Sequence, residues 1–502
     1  MPPAIPILVA AGTAAIGTAA AAAVGTAITA GIGAVVLVST ALTLVSALRG
    51  ILTSSREQGQ TVPAVGADQP LRHVVGRTRN SGQLIGRHSS GDDNEWLFEA
   101  RVMSFGPIIW IVGIYINGDL VTLETSEDET NEGFEVRTNP YNDEICYITT
   151  GRGLPSEPVD GMGRTFGDFQ LTHRHQPFAY INSRYKTDDA WENNLPRLTA
   201  LIDGRYIFDP RNTNHDINNE MSWGFSDNPA LIAAWYVMQP WTFNAGFDDI
   251  DWDAIRVAAN ICDEVVPSPE GNENRYRMGG VFFENGDKNQ MLLSIVRAMG
   301  GDYLQPKKTG KWVFYAGAYA EPVLVIQPGD IIYCDEYSPY AEKNTRINTI
   351  HGQYQSARDN YQSVGYPTVN NDAALEREGE AIESTLDLEY VQSEFQAQRI
   401  AAIQVAATNY QRRWRGRLKI IGYALVPGQR VILNDTNYEP EMVGITMRVV
   451  RTEYDGIEVT VTLREDSPEI YEAPVLNTAT STTPFNNLPT GFTGGLPGGT
   501  ER

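Results

Sequence analysis

Residues 2–48 contain no Asp, Glu, Lys, Arg or His, and this stretch constrains the chain more than any other feature. Within residues 1–50, Arg49 is the one charged side chain. Alanine dominates, and Gly-Thr-Ala recurs at Gly12, Gly17 and Gly25. Small residues let helix backbones approach closely, as they do in packed bundles and membrane helices. The run exceeds the ~20 residues that span a bilayer. It fits two spans joined near Gly31 to Gly33, and equally one long helix. A secretory leader does not fit. No basic residue follows Met1, Pro2 and Pro3, and the apolar run is too long for a leader core. Apolarity does not separate a dry protein interior from lipid, so two readings stand: a lumenal plug sealed inside an assembly, or a membrane-inserting helix. In both, Val24, Ile28, Ile32, Val35, Val36, Leu37, Val38, Leu42, Leu44 and Val45 make the lumen or membrane contact. A lone copy in water would expose this surface, so a partner is required.

The remainder is a different material. Residues 51–502 carry 38 basic side chains against 62 acidic ones, and the whole chain has a net charge of −23. Tight, sequence-independent nucleic-acid binding needs clustered cations and is disfavoured. At ~100–200 residues per domain, 502 residues imply three or four domains. A hydrophobic fraction of 42% excludes wholesale disorder. Cys146, Cys262 and Cys334 are too few for a disulfide framework or a four-thiolate zinc site and read as buried small apolar residues.

Along the body the pattern is mainly β, with an α+β insertion. Residues 1–52 form the apolar segment and 53–70 a polar linker. A β-rich region follows over 71–215. There the alternation in Trp96 to Met103, the apolar run Ile108 to Ile116 and the Asn117-Gly118 turn predict strands and a hairpin. A second hairpin is expected to turn at Asp203-Gly204. Residues 216–328 read as an α+β region. Asn228 caps a short helix with Pro229 in its first position, a second helix starts at Asp251 or Asp253, and a third spans Asp287 to Met299. Residues 329–473 return to strands, including Leu418 to Leu425 and a pair joined at Asp455-Gly456. They hold one helix, 393–410, opened by the capping box Ser393 to Gln396. Residues 474–502 are rich in Thr, Gly, Pro and Asn and read as an extended arm.

Chemical motifs are weak. Gly161 to Gly167 has the look of a dinucleotide loop, but its third glycine comes one place late and no strand–helix pair brackets it, so a surface loop is the simpler reading. Asp249, Asp251 and Asp253 have calcium-loop spacing, yet Ala254 replaces the turn glycine and Asn260 the bidentate glutamate. An anion-favouring helix start explains them better. His173 and His175 lack an evident third metal ligand. The run Arg412, Arg413, Arg415 and Arg417 reads as a solvated or interface face before it reads as a nucleic-acid site. The sequence shows no catalytic, cofactor or metal site.

Four segments, taken in order, resemble the family of tail-tip attachment protein J of lambda-like long-tailed phages and the central hub proteins of gene transfer agents. The first is Pro70 to Arg77, containing Gly76, with the strand-rich Leu97 to Asn117. The second is Trp223 with Asp227, Asn228, Pro229 and Ala230, then Ala258 to Glu264, which includes Cys262 and Asp263. The third is Arg275 to Gly280, Leu292 to Gly301, and Gly310-Lys311-Trp312. The fourth is Arg346-Ile347-Asn348, Ala397 to Ala401 with Arg399, Val426-Pro427-Gly428, and Thr462 to Glu465.

The resemblance covers roughly residues 65–470. It implies a homotrimeric, non-enzymatic hub that caps a tail tube in the virion, assembled in the host cytoplasm. The hub would be built from tube-like β-barrel domains plus a helical insertion. Its partners would be adjoining tail-tube or distal tail proteins, tail fibre or tip proteins, and DNA passing without specific binding. No cofactor is implied. An acidic lumen suits that passage, because it repels phosphate. The chain stops without a long fibre-like extension, so receptor binding is expected in other proteins. Residues 4–48 have no counterpart in the resemblance, and their role as a plug or in the host envelope membrane follows from composition alone. Two rival readings are a membrane-anchored cell-envelope glycan hydrolase and a bacterial β-rich surface or secretion protein.

Overall fold

The hairpin turn is built as its dipeptide demands: Asn117 has φ 50° and Gly118 φ 105°, the left-handed pair that a two-residue turn requires. It joins two of ten strands in the first region of the computed structural model. They are β1 (Arg72–Val75), β2 (Arg77–Asn80), β3 (Gln83–Ser90), β4 (Trp96–Phe105), β5 (Ile108–Ile116), β6 (Asp119–Val121), β7 (Phe134–Glu135), β8 (Cys146–Arg152), β9 (Phe178–Lys186) and β10 (Leu198–Arg205). The structure describes residues 69–472, apart from 125–132, 168–174, 192–194, 305–309, 342, 344–345 and 439–441, together with Leu476. The apolar segment, the linker as far as residue 68 and almost all of the arm lie outside the described residues. So do the ten side chains expected to contact lumen or membrane.

Two antiparallel sheets, in the orders β2-β10-β5-β6 and β3-β4-β9-β8-β7, pack through Ile108, Ile114, Ile116, Ile148, Ile181 and Ile202. Among the described residues neither sheet closes on itself, so this region is a stacked pair rather than the expected closed barrel. The hairpin expected at Asp203-Gly204 does not form, because β10 runs straight through it. Gly204 serves close approach instead. A Cβ there would lie 2.2 Å from the Val74 carbonyl oxygen, and its N–H donates to the Gly76 oxygen at 2.8 Å. Strand β1 leaves both sheets and pairs with Gly280–Phe283 in the middle region.

The middle region is organised by buried helices. Helix Pro229–Met238 is buried around nearly its whole circumference, which explains its lack of amphipathic periodicity. Helices Trp252–Cys262 and Lys288–Arg297 show one apolar face each. Trp235, Tyr236, Ile255, Phe282, Ile295 and Phe314 form the centre of this core. The core also takes in Ile350, Tyr354, Tyr390, Ile400, Ala401 and Val405. Helix Glu394–Ala406, capped by Ser393 through the Gln396 N–H, therefore packs against the middle helices.

The last sheet has six strands in the order Leu324–Ile326, Arg430–Asn434, Val443–Asp455, Glu458–Glu465, Arg413–Leu418, Ile331–Ser338. Its core holds Trp414, Val431, Leu433, Met447, Val461 and Leu463. The strand expected over Leu418 to Leu425 ends at Leu418, and Ile420–Ala424 forms a tight helical turn. That turn brings Gly422 against Val459, where a Cβ would lie 2.7 Å from the valine Cβ. Gly161–Phe166 is a short helix rather than a loop. Asp160 accepts from the Gly163 N–H, and Met162 is fully buried.

Candidate interaction surfaces

The residues singled out in sequence occupy structural positions. Gly76 has φ 57°, and a Cβ there would lie 2.2 Å from the Met278 carbonyl oxygen. Trp223 packs against the middle core and donates from Nε1 to the Asp216 oxygen at 2.7 Å. Asn228 accepts from the Ala230 N–H at 3.1 Å and donates to the Ala259 oxygen at 2.9 Å, tying the first two helices together. Pro229 follows it at the helix start. Cys262 is fully buried, which pushes its thiol pKa up and makes it inert packing. Asp263 pairs with Arg211 at 2.8 Å. Arg399, almost fully buried, binds Glu273 at 2.6 Å and the Arg275 oxygen at 3.0 Å. Gly428 has φ 91° and lies against the Tyr315 ring. The Tyr315 hydroxyl donates to the Pro427 oxygen at 2.9 Å, and burial pushes its pKa up to about 12.

The weak motifs resolve in the same direction. Asp251 caps helix Trp252–Cys262 by accepting from the Ala254 N–H at 3.1 Å, Asp253 sits in its first turn, and Asp249 accepts from the Gly246 N–H at 2.8 Å. His173 lies outside the described residues, while His175 stacks on Tyr180 with ring centroids 3.9 Å apart. Among the described residues no group of three His, Cys, Asp or Glu side chains could hold a metal ion. No helix among them is long and apolar enough to cross a membrane.

Two features escaped the sequence reading. The first is a set of buried ionisable side chains in the stacked sheets and on β1. Glu99 and Arg101, 1% and 3% exposed, pair at 2.5 Å, and Arg87 donates to the same carboxylate. His73, 2% exposed, stacks on Trp241 with centroids 4.6 Å apart and, protonated on Nε2, donates to Glu284 at 3.1 Å. Desolvation, with Arg205 nearby, pulls the His73 pKa down to about 3, so the ring is neutral at pH 7. The second feature is a cleft of about 630 Å³ between helix Trp252–Cys262 and the six-stranded sheet. Val257, Val323 and Val450 supply exposed apolar side chains, and Arg430, Arg448 and Arg464 supply charge. Desolvation, then Arg413 and Arg448, hold the Arg464 guanidinium below its ordinary value. No motif marks either feature, because the burial of those side chains and the walls of the cleft are set by packing between segments distant in sequence.

No protein-family model matches the chain, and no curated protein matches it. Among solved structures, a chain from the virion of a native gene transfer agent particle superposes with a TM-score of 0.60 at 14% identity, covering 84% of this chain and 89% of that one. A tail protein from Neisseria meningitidis aligns with TM-score 0.31 at 13% identity, over 81% of this chain and 95% of that one. The 43 kDa tail protein of prophage MuSo2 from Shewanella oneidensis gives TM-score 0.29 at 10% identity, over 81% and 100%. Those two alignments are too loose to carry an argument. The first establishes that the described body shares its fold with a chain of a gene transfer agent virion.

Proposed function

We propose that the protein is a structural tail-tip hub of a phage-like particle. It caps the tail tube as a homotrimer, joins adjoining tail proteins, anchors fibre or tip proteins, and gates DNA passage. The observation that carries this reading is the fold shared, over 84% of the chain, with a chain of a virion. The acidic balance of the body supports it, since DNA slides past a surface that repels phosphate. In this reading regions 71–215 and 329–473 of each copy face the tube ring and 216–328 is the insertion between them. Gly76, Trp223, Asn228, Pro229, Cys262, Asp263, Arg399, Pro427 and Gly428 hold that body in shape. Residues 4–48 gather on the shared axis as a plug or enter the host envelope.

The test is light scattering and electron microscopy of the purified full chain. Three copies forming a ring of pseudo-sixfold outline are expected, and a stable monomer overturns the reading. Deleting residues 4–48 is expected to leave a soluble trimer. Loss of trimerisation on that deletion would make the segment an assembly element instead of a gate.

A further inference from the structure

The six-stranded sheet carries arginine on four adjacent strands in one register row. Arg413 lies opposite Arg464, Arg464 opposite Arg448, and Arg448 opposite Arg430. Each is adjacent in sequence to a core side chain (Trp414, Leu463, Met447 and Val431), so alternation puts all four on the face turned away from that core. Like charges directly opposite one another oppose strand pairing. A chain with net charge −23 has acids to spare, yet among the described residues carboxylates pair with only one end of the row. Arg430 pairs with buried Asp466 at 2.7 Å, and Arg448 reaches Asp302 at 3.8 Å. Arg464 donates to the Ala407 oxygen at 3.2 Å, and the Arg413 side chain makes no hydrogen bond or ion pair among the described residues.

Among the described residues, three nearby acids are committed elsewhere: Glu465 to Arg412 at 2.7 Å, Glu378 to Arg346 and Arg377, and Glu469 to the Tyr410 hydroxyl. Between Arg413 and Arg464 lies a cavity of about 40 Å³, also lined by Arg346, Thr408, Tyr410 and Gln411. It shares Ala407 and Arg464 with the larger cleft. A cavity needs only about 10–15 Å³ of such space to hold one water, so this one has room for a small polar group.

We propose that Arg413 and Arg464 form an oxyanion site that takes one phosphate or carboxylate group. Two arginines that line one small cavity offer planar guanidinium forks, which suit the paired oxygens of such a group. The group comes either from free phosphate or from an acidic side chain of a neighbouring polypeptide. Nucleic acid fits less well, because the cavity admits a single group and the net charge of −23 opposes an extended polyanion. The proposal stands apart from the hub reading.

The experiment is calorimetric titration of the full chain with inorganic phosphate, and separately with acetyl-Ala-Glu-Ala-amide, against sodium chloride of matched ionic strength. Saturable binding of either probe is expected, and the tighter one identifies the source. Arg413→Gln and Arg464→Gln should each weaken binding at least tenfold. Without ligand, both should keep a thermal midpoint equal to or above that of the parent, since a like-charge contact is relieved. Arg413→Lys, which keeps the charge and loses the fork, should fall between parent and Arg413→Gln. The proposal is overturned if chloride mimics both probes or if the glutamine variants bind as the parent does. It is also overturned if a duplex oligonucleotide binds the row without competition from phosphate.

Discussion

The two large β regions treat charge in opposite ways. In the stacked sheets, β10 is buried at all eight positions and β9 at seven of nine, so charged side chains such as Glu99, Arg101 and Arg205 are shut in and must be paired. In the six-stranded sheet, strand Arg413–Leu418 alternates strictly between exposed and buried, and its arginines sit on the open face. A sheet covered on both sides turns each charge into a structural obligation. A sheet with one open face can keep charges for contact with something else.

The comparison can be broken most forcefully at Glu99. Glu99→Ala leaves Arg101 buried without its carboxylate partner. It is expected to destabilise the chain by about 3–5 kcal/mol, read as a drop in the urea midpoint. A loss below about 1 kcal/mol would show that this face is wetter than its burial implies. The next effect depends on pH. The folded pKa of His73, about 3, lies below the ordinary 6.5. The unfolded chain therefore takes up the proton first. The stability that the neutral ring contributes is complete above about pH 6.5 and is lost as pH falls toward 3, at roughly 1.4 kcal/mol per unit. Urea unfolding at pH 7 and pH 4.5 should show that slope in the parent, and His73→Gln should remove that part of it. An unchanged slope in the variant would assign acid sensitivity to the carboxylates. The smallest effect belongs to the open face. Arg417 sits 3.4 Å from Asp335 and 3.6 Å from Glu458 at half exposure. Arg417→Ala should change stability by less than about 0.5 kcal/mol in the same assay. A larger loss would blur the distinction between the two sheets.

Legibility in the sequence did not follow the same division. The strand around Val461 was legible in sequence, whereas the strand Arg413–Leu418 was not: its alternating arginines read as a basic cluster, and the pattern predicts a strand only from Leu418 onward. The Asn117-Gly118 and Asp455-Gly456 turns were legible because their backbones need left-handed residues. Asp203-Gly204 carries the same signal and misleads, since Gly204 is required by the Val74 carbonyl pressed against it. Gly161 to Gly167 misleads in the opposite sense: its glycines suggest a loop, but Asp160 caps a helix and Met162 anchors it. Of the candidate sites, the helix caps at Asn228, Asp251 and Ser393 could be read locally. The cleft, the buried His73 and the arginine row could not.

The order of amino acids by itself determined the helix starts, the tight turns, the acidic balance of the body and its separation from an uncharged head. These depend on side chains acting on their own backbone or on solvent. Only the tertiary structure decided that helix Glu394–Ala406 joins the middle core, that β1 pairs with Gly280–Phe283, and that Arg413, Arg464, Arg448 and Arg430 stand in one row. Strand register is set by which apolar faces are buried together, and no local pattern states that choice.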